Sequence, residues 1–166
     1  MDFKKKITPE QLGGQLLIQN FERKQEEVED LYKRLINSHV IKDYLFFELL
    51  ILHTYAIFLT IESLPEKKSQ KVYLGYMEYF HKILKDKGVP EELITKMAKL
   101  LMQRSDEYDL ILHSEKENKT NIISEKMLSH VCKNESLDPL LISIVSTTFA
   151  SIFDYSRNLM EQCEIA

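Results

Sequence analysis

The sequence predicts an all-α protein: a single compact bundle of five to six helices spanning 1–166, built around an all-round apolar second helix. Three observations carry this expectation. Glycine and proline are scarce, four of each in 166 residues, which disfavours a loop-rich β-fold and suits long helices. Apolar residues recur with a 3.6-residue period along most of the chain, and nothing alternates with period two long enough to suggest a sheet. The run Tyr44–Ile61, YLFFELLILHTYAIFLTI, is apolar on every side, as expected of a helix that protein or lipid covers all round.

Each helix has its own signals. Thr8-Pro9-Glu10 supplies an N-cap, a proline for the first helical position and an acid for the first turn. The first helix carries Leu12, Leu16/Leu17, Phe21, Val28, Leu31 and Leu35, close to a heptad that Lys24 breaks, and ends at Asn37-Ser38-His39. Gly13-Gly14 weakens its first turn and predicts a kink or the close approach of another backbone. The apolar run is the second helix, residues 41–63. Pro65 restarts the chain for a third helix reaching Lys87, with its stripe at Val72/Tyr73, Tyr76/Met77, Phe80 and Ile83/Leu84. Lys85 and Lys87 complement the helix dipole, and Gly88 is placed as the C′ residue. Pro90-Glu91-Glu92 opens a fourth helix with proline at N1, striped by Leu93/Ile94, Met97, Leu101, Arg104, Tyr108 and Ile111/Leu112. Residues 114–121 read as a polar loop, a short fifth helix covers 122–134, and a second loop leads to Asp138-Pro139, the cap of the last helix.

Charge excludes some partners. A formal net charge of -4 offers no attraction to nucleic acid or anionic membranes, so neither is expected. The charge is uneven: Lys67, Lys68, Lys71, Lys82, Lys85, Lys87, Lys96 and Lys99 make the middle basic. Asp106, Glu107, Asp109, Glu115 and Glu117 then turn the next stretch acidic. Two cysteines on apolar stripes, Cys132 and Cys163, read as small buried hydrophobes of a reducing, cytoplasmic compartment. MDFKKKITPEQ lacks the apolar region of a secretory signal. Tyr44–Ile61 is just long enough to cross a bilayer, but Glu48 deep within it costs roughly 2.5–3.5 kcal/mol on insertion scales. Its flanks, Lys42-Asp43 and Glu62-Ser63, carry no lopsided positive cluster, so a buried core helix is expected instead.

Few residues point to chemistry. Glu78-Tyr-Phe-His81 matches one Glu-x-x-His of a di-iron bundle, with no second copy. With Glu48 and His53 it makes an incomplete metal set of Glu48, His53, Glu78 and His81, and Asp109 and His113 lie one turn apart elsewhere. Arg34-Leu-Ile-Asn-Ser-His39 is similar in its arginine–histidine spacing to helical ribonucleases of the HEPN class, which use such a pair on a 2′-hydroxyl and phosphate. Leu35 stands where that class has a polar residue, and the acidic balance does not favour RNA. No glycine-rich phosphate loop, nucleophile elbow or Cys-x-x-Cys is present.

Glu48 poses the sharpest question. A buried carboxylate needs a partner, and Arg104, on the stripe of the fourth helix, is the leading candidate, beside His53 and the hydroxyls of Tyr73, Tyr76 and Tyr108. On the last helix Ser143, Ser146, Thr147, Ala150 and Ser151 form a face of small side chains, either solvated or a close contact within the chain or between two copies. The expectation is a non-catalytic protein–protein interaction or self-association module, working with a protein partner or as a homodimer and without a cofactor. The alternatives are a carboxylate/histidine metal-binding bundle and a carrier for a hydrophobic small ligand.

Overall fold

A computed structural model describes residues 4–35, 40–133 and 137–166. Its elements are β1 (Lys5–Ile7), α1 (Pro9–Arg34), α2 (Lys42–Ile61), α3 (Glu66–Asp86), α4 (Glu91–Leu112), α5 (Lys119–Cys132), α6 (Pro139–Glu161) and β2 (Cys163–Ile165). The fold is an all-α bundle of six helices with one very short sheet.

The helix ends follow local chemistry. Thr8 and Gln11 form a reciprocal capping box: the Gln11 amide donates to Thr8 Oγ1 at 3.2 Å, and the Thr8 amide donates to Gln11 Oε1 at 2.9 Å. Asp138 caps α6 by accepting from the Leu140 amide at 2.9 Å, with Pro139 in the first turn. At the end of α3, Gly88 takes a φ of 77°. The amides of Gly88 and Val89 then reach the carbonyls of Lys85 and Leu84 at 2.9 and 3.0 Å, closing a Schellman motif. Two boundaries differ from expectation. Pro90 occupies the cap of α4 and not its first turn. Helix α5 begins at Lys119, inside the stretch expected as loop, after Asn118 turns the chain in the left-handed region at φ 55°. The expected end of α1 at Asn37-Ser38-His39, and most of the loop before Asp138, lie outside the described residues.

Helix α2 touches all five other helices, which explains why no side of it needs polar residues. From Glu48 to Ile57 every residue is buried. Each fully covered Leu or Ile contributes roughly 1.5–3 kcal/mol of burial free energy, so this helix anchors the core. Against it α1 and α3 pack on one side, and α4, α5 and α6 on the other.

The closest helix contact is α1 against α3, where the glycines act as a seam. A Cβ on Gly13 would lie 2.1 Å from the Val72 carbonyl oxygen, and one on Gly75 would lie 2.3 Å from the Glu10 carbonyl oxygen. Of the two expectations for Gly13-Gly14, it is the close backbone approach that the structure shows.

No strand was expected, yet β1 and β2 pair in parallel, Lys5 opposite Cys163 and Ile7 opposite Ile165. The Lys68 ammonium donates to the Ile165 carbonyl at 2.6 Å, tying the pair to α3. Three-residue strands are too short to leave a period-two pattern. Two helices are long and apolar enough to cross a membrane by length and composition: α2, whose apolar window is 72% buried inside the protein, and α6, whose window is 33% buried.

Candidate functional site

Two polar networks leave α2 and run through the core. The first starts at Glu48, fully buried at the centre of the helix. Arg104, projecting from the buried stripe of α4, forks onto it: Nη2 donates to Oε1 at 3.0 Å and Nε donates to Oε2 at 3.2 Å. Arg104 Nη1 also donates to Glu107 Oε1 at 3.3 Å, one turn along the same helix. Glu107 Oε2 lies 2.7 Å from His130 Nε2 on α5, with Lys126 Nζ at 3.9 Å. Charges alternate along this chain from the core to the surface, and each buried carboxylate oxygen meets a donor. Burial pushes the Glu107 carboxyl up, but His130, Arg104 and Lys126 outweigh it and hold it below its ordinary range. Burial likewise opposes the charge on Arg104, and Glu48 and Glu107 more than restore it. Beside the fork, burial and the nearby Glu48 raise the phenols of Tyr44 and Tyr108, and the Tyr108 hydroxyl has no hydrogen-bond partner among the described residues.

The second network faces α1 and α3. Lys24 is fully buried on α1, at the position where the heptad breaks. Its ammonium donates to Glu27 Oε2 at 2.8 Å and to Nδ1 of His53, itself fully buried on α2. An ammonium carries no acceptor, so Nδ1 must accept and the imidazole proton is assigned to Nε2. That Nε2 is buried without a hydrogen-bond partner among the described residues. Burial, then the Lys24 and Arg23 cations, hold the imidazole well below its usual pKa. Burial also pushes the Lys24 amine down to about 8, against the pull of Glu27. One turn back on α1, Asn20 Nδ2 donates to Tyr76 Oη at 2.9 Å, and Tyr76 Oη lies 2.7 Å from Thr54 Oγ1. Burial drives the Tyr76 phenol up to about 12. Here two bases face each other with one carboxylate between them.

A lysine with a lowered pKa beside a neutral histidine is a pairing that enzymes use for base or amine chemistry. Both groups are sealed in the core, however, and neither lines the surface grooves along α1–α2, α2–α3 and α4–α5. Sequence reasoning singled out His53 but not Lys24 or Asn20. The available signal was a polar residue on an apolar stripe.

The other candidates are spread out. Of the four residues weighed as a metal set, Glu48 is held by Arg104 and His53 by Lys24. His81 lies 2.6 Å from Glu91, and Glu78 stands exposed on α3. Among the described residues no three His, Cys, Asp or Glu side chains come together to hold a metal. His113 Nδ1 lies 2.9 Å from the Asp109 carbonyl oxygen, while the Asp109 carboxylate accepts from Tyr55 at 2.6 Å. Arg34 is exposed, and His39 lies outside the described residues. On α6, Ser143, Thr147 and Ala150 are exposed, Ser151 is half-buried and Ser146 is buried. The hydroxyls of Thr147 and Ser151 bond back to the carbonyls of Ser143 and Thr148, which leaves this face short and nearly apolar. Cys132 and Cys163 are both buried.

An open recess of about 450 Å³ lies between α2 and α3, lined by Phe58, Ile61, Tyr73 and Leu74 with Glu62, Ser69 and Gln70. Comparison with protein-family models, curated proteins and solved structures finds no match to this chain.

Proposed function

We propose that this is a protein–protein interaction module of the cytoplasm, working through association with another protein or with a second copy of itself and without catalysis. The observation that supports it most is the apolar surface left over after the core is built. Leu74, Met102 and Leu110 are 56%, 63% and 76% exposed, although the chain has buried positions enough to fill a six-helix core. Exposed large apolar side chains mark contact surfaces where they join into a patch, and Met102 and Leu110 share one face of α4. The polar chemistry points the same way. Glu48 and His53, the chemically suggestive residues of α2, are spent on neighbours inside the core, which suits a scaffold better than a reaction site.

The small-residue face of α6, with Leu140 and Tyr155 exposed at its two ends, is one candidate contact. Its 33% buried window, against 72% for α2, leaves room for a helix from another chain to pack closely. The buried cysteines suit a reducing compartment, and the net charge of -4 argues against nucleic acid and anionic membranes as partners. Native mass spectrometry on protein purified from its own host tests this directly. An apo dimer or a stoichiometric co-purifying subunit is expected. A monomer carrying a bound metal or small molecule would overturn the proposal.

A further inference from the structure

Deepening the association proposed above, and resting on it, we infer that the partner is a second copy of this chain. The contact sets the lysine row of α3 in one copy against the acidic, apolar end of α4 in the other.

The two surfaces are complementary in charge. Residues 67, 71, 74, 78, 82 and 85 fall on one helical face at four- and three-residue steps. In this chain they are Lys67, Lys71, Leu74, Glu78, Lys82 and Lys85, all exposed, so the face carries four cations to one anion. The inward side of α3, with Val72, Gly75, Tyr76 and Phe80, is consumed by the bundle. Leu74 also belongs to the wall of the 450 Å³ recess, where the Phe58 and Tyr73 rings stand 4.6 Å apart. The recess is lined mostly by apolar side chains together with Glu62, Ser69 and Gln70, and its volume can take a leucine or methionine side chain.

The matching surface lies on α4. Met102, Asp106 and Leu110 are spaced at i, i+4 and i+8, so they line one outward face, and all three are exposed. Glu115 and Glu117 follow, also exposed, with Lys116 between them. Among the described residues, Lys67, Lys71, Lys82, Lys85, Asp106, Glu115 and Glu117 close no ion pair, whereas Lys96 and Lys126 nearby already do. These four lysines of α3 and three acids at and beyond the end of α4 are therefore left without ion pairs on two different helices, each set beside an exposed leucine. Burying the leucines supplies the affinity, and the charge pairs set register and speed the encounter. Each copy offers both surfaces, and a two-fold arrangement of the copies makes the contact twice.

A charge-swap experiment tests it, read by native mass spectrometry and light scattering on the purified full chain. Lys67→Glu/Lys71→Glu and Asp106→Lys each place like charges against each other and weaken dimerisation by about tenfold or more. Both alter only exposed side chains, and circular dichroism checks that each stays folded. Mixing the two variants one to one restores a dimer, because one of its contacts is the swapped pair, now complementary, and the other is the wild-type pair; added salt weakens the wild-type dimer. A wild-type chain that stays monomeric overturns the inference and removes the self-association half of the proposed function. A dimer that ignores the charge swaps but is lost with Ala150→Glu overturns the inference alone, moves the contact to α6 and leaves self-association standing.

Discussion

The networks that leave α2 at Glu48 and at His53, five residues apart, answer the same problem in different ways. Glu48 meets a guanidinium whose planar fork matches both carboxylate oxygens, and the chain continues through Glu107 to His130 with charges alternating. His53 meets an ammonium, which donates to Nδ1 and to Glu27 but cannot accept, and the far imidazole nitrogen is buried without a hydrogen-bond partner among the described residues. Both regions are buried, and each contains an ion pair, Glu48–Arg104 in the first and Lys24–Glu27 in the second. What separates them is that the buried side chain of α2 is itself a charged partner in the first, while in the second the cation also faces a base and, with burial, keeps that base neutral. Burial alone therefore does not decide whether a polar core is stabilising; the match of donors, acceptors and charge does.

Breaking the matched side has the largest expected effect. Arg104→Met leaves Glu48 buried with no counter-charge and should lower unfolding stability by about 3–5 kcal/mol, measured by urea denaturation. Adding Glu48→Gln should recover part of that loss. A loss below about 1 kcal/mol would mean that the fork contributes little net stability.

A smaller effect comes from forcing α1 off α3. Gly75→Ala places a methyl group against the Glu10 backbone, at a cost of about 1–3 kcal/mol. It should also loosen the Asn20–Tyr76 bond while leaving the Arg104 fork intact. Hydrogen exchange should then quicken in α1 and α3 but not in α4; equal quickening everywhere would contradict the separation of the two networks.

Acidification separates them again, because both lose stability as pH falls but in different windows. His53 is held neutral in the fold, while in the unfolded chain it titrates near 6.5. Below about pH 6.5 the unfolded state therefore takes a proton that the folded state refuses, and stability falls as pH falls. Glu107 is depressed in the fold, so its contribution is present above about pH 4.3 and is lost only as pH drops through its folded value. Lys24, lowered to about 8, contributes a change only between that value and its ordinary one near 10.4, well above this window. Between pH 6.5 and 5.5 the wild type should lose about 1 kcal/mol through His53, and His53→Gln should flatten that slope. An unchanged slope in the variant would assign the pH dependence to other groups.

Least is expected from Lys24→Met. The methionine keeps the apolar stem, removes a buried cation, and leaves Glu27 able to reach water. Stability should change by less than about 1 kcal/mol, in either direction, in contrast to Arg104→Met under the same conditions.

Much of this arrangement was legible in the residues. Thr8, Asp138 and Gly88 announced their caps because each acts on its own neighbours, and Tyr44–Ile61 announced a helix surrounded by others. Glu48 and Arg104 stood out as charges on apolar stripes. The pairing of Lys24 with His53 was not legible, since 29 residues separate them and a lysine on a stripe reads locally as a break in the pattern. The parallel pairing of β1 with β2 was hidden because a strand of three residues has no period to read, and its register is set by where α6 returns the chain. The early start of α5 turned on Asn118 accepting a left-handed conformation within a run of polar residues.

The contrast between the networks rests on the state of one ring. Long-range nitrogen–proton NMR of the His53 imidazole, followed from pH 8 to pH 5, reads that state directly. A neutral ring with its proton on Nε2, Nδ1 accepting, and no titration near pH 6.5 is the predicted result. An imidazolium already present at pH 7 would contradict it, because Glu27, whose Oε2 lies 3.6 Å from Nδ1, would then pair with His53 as Arg104 pairs with Glu48 and the two networks would be alike.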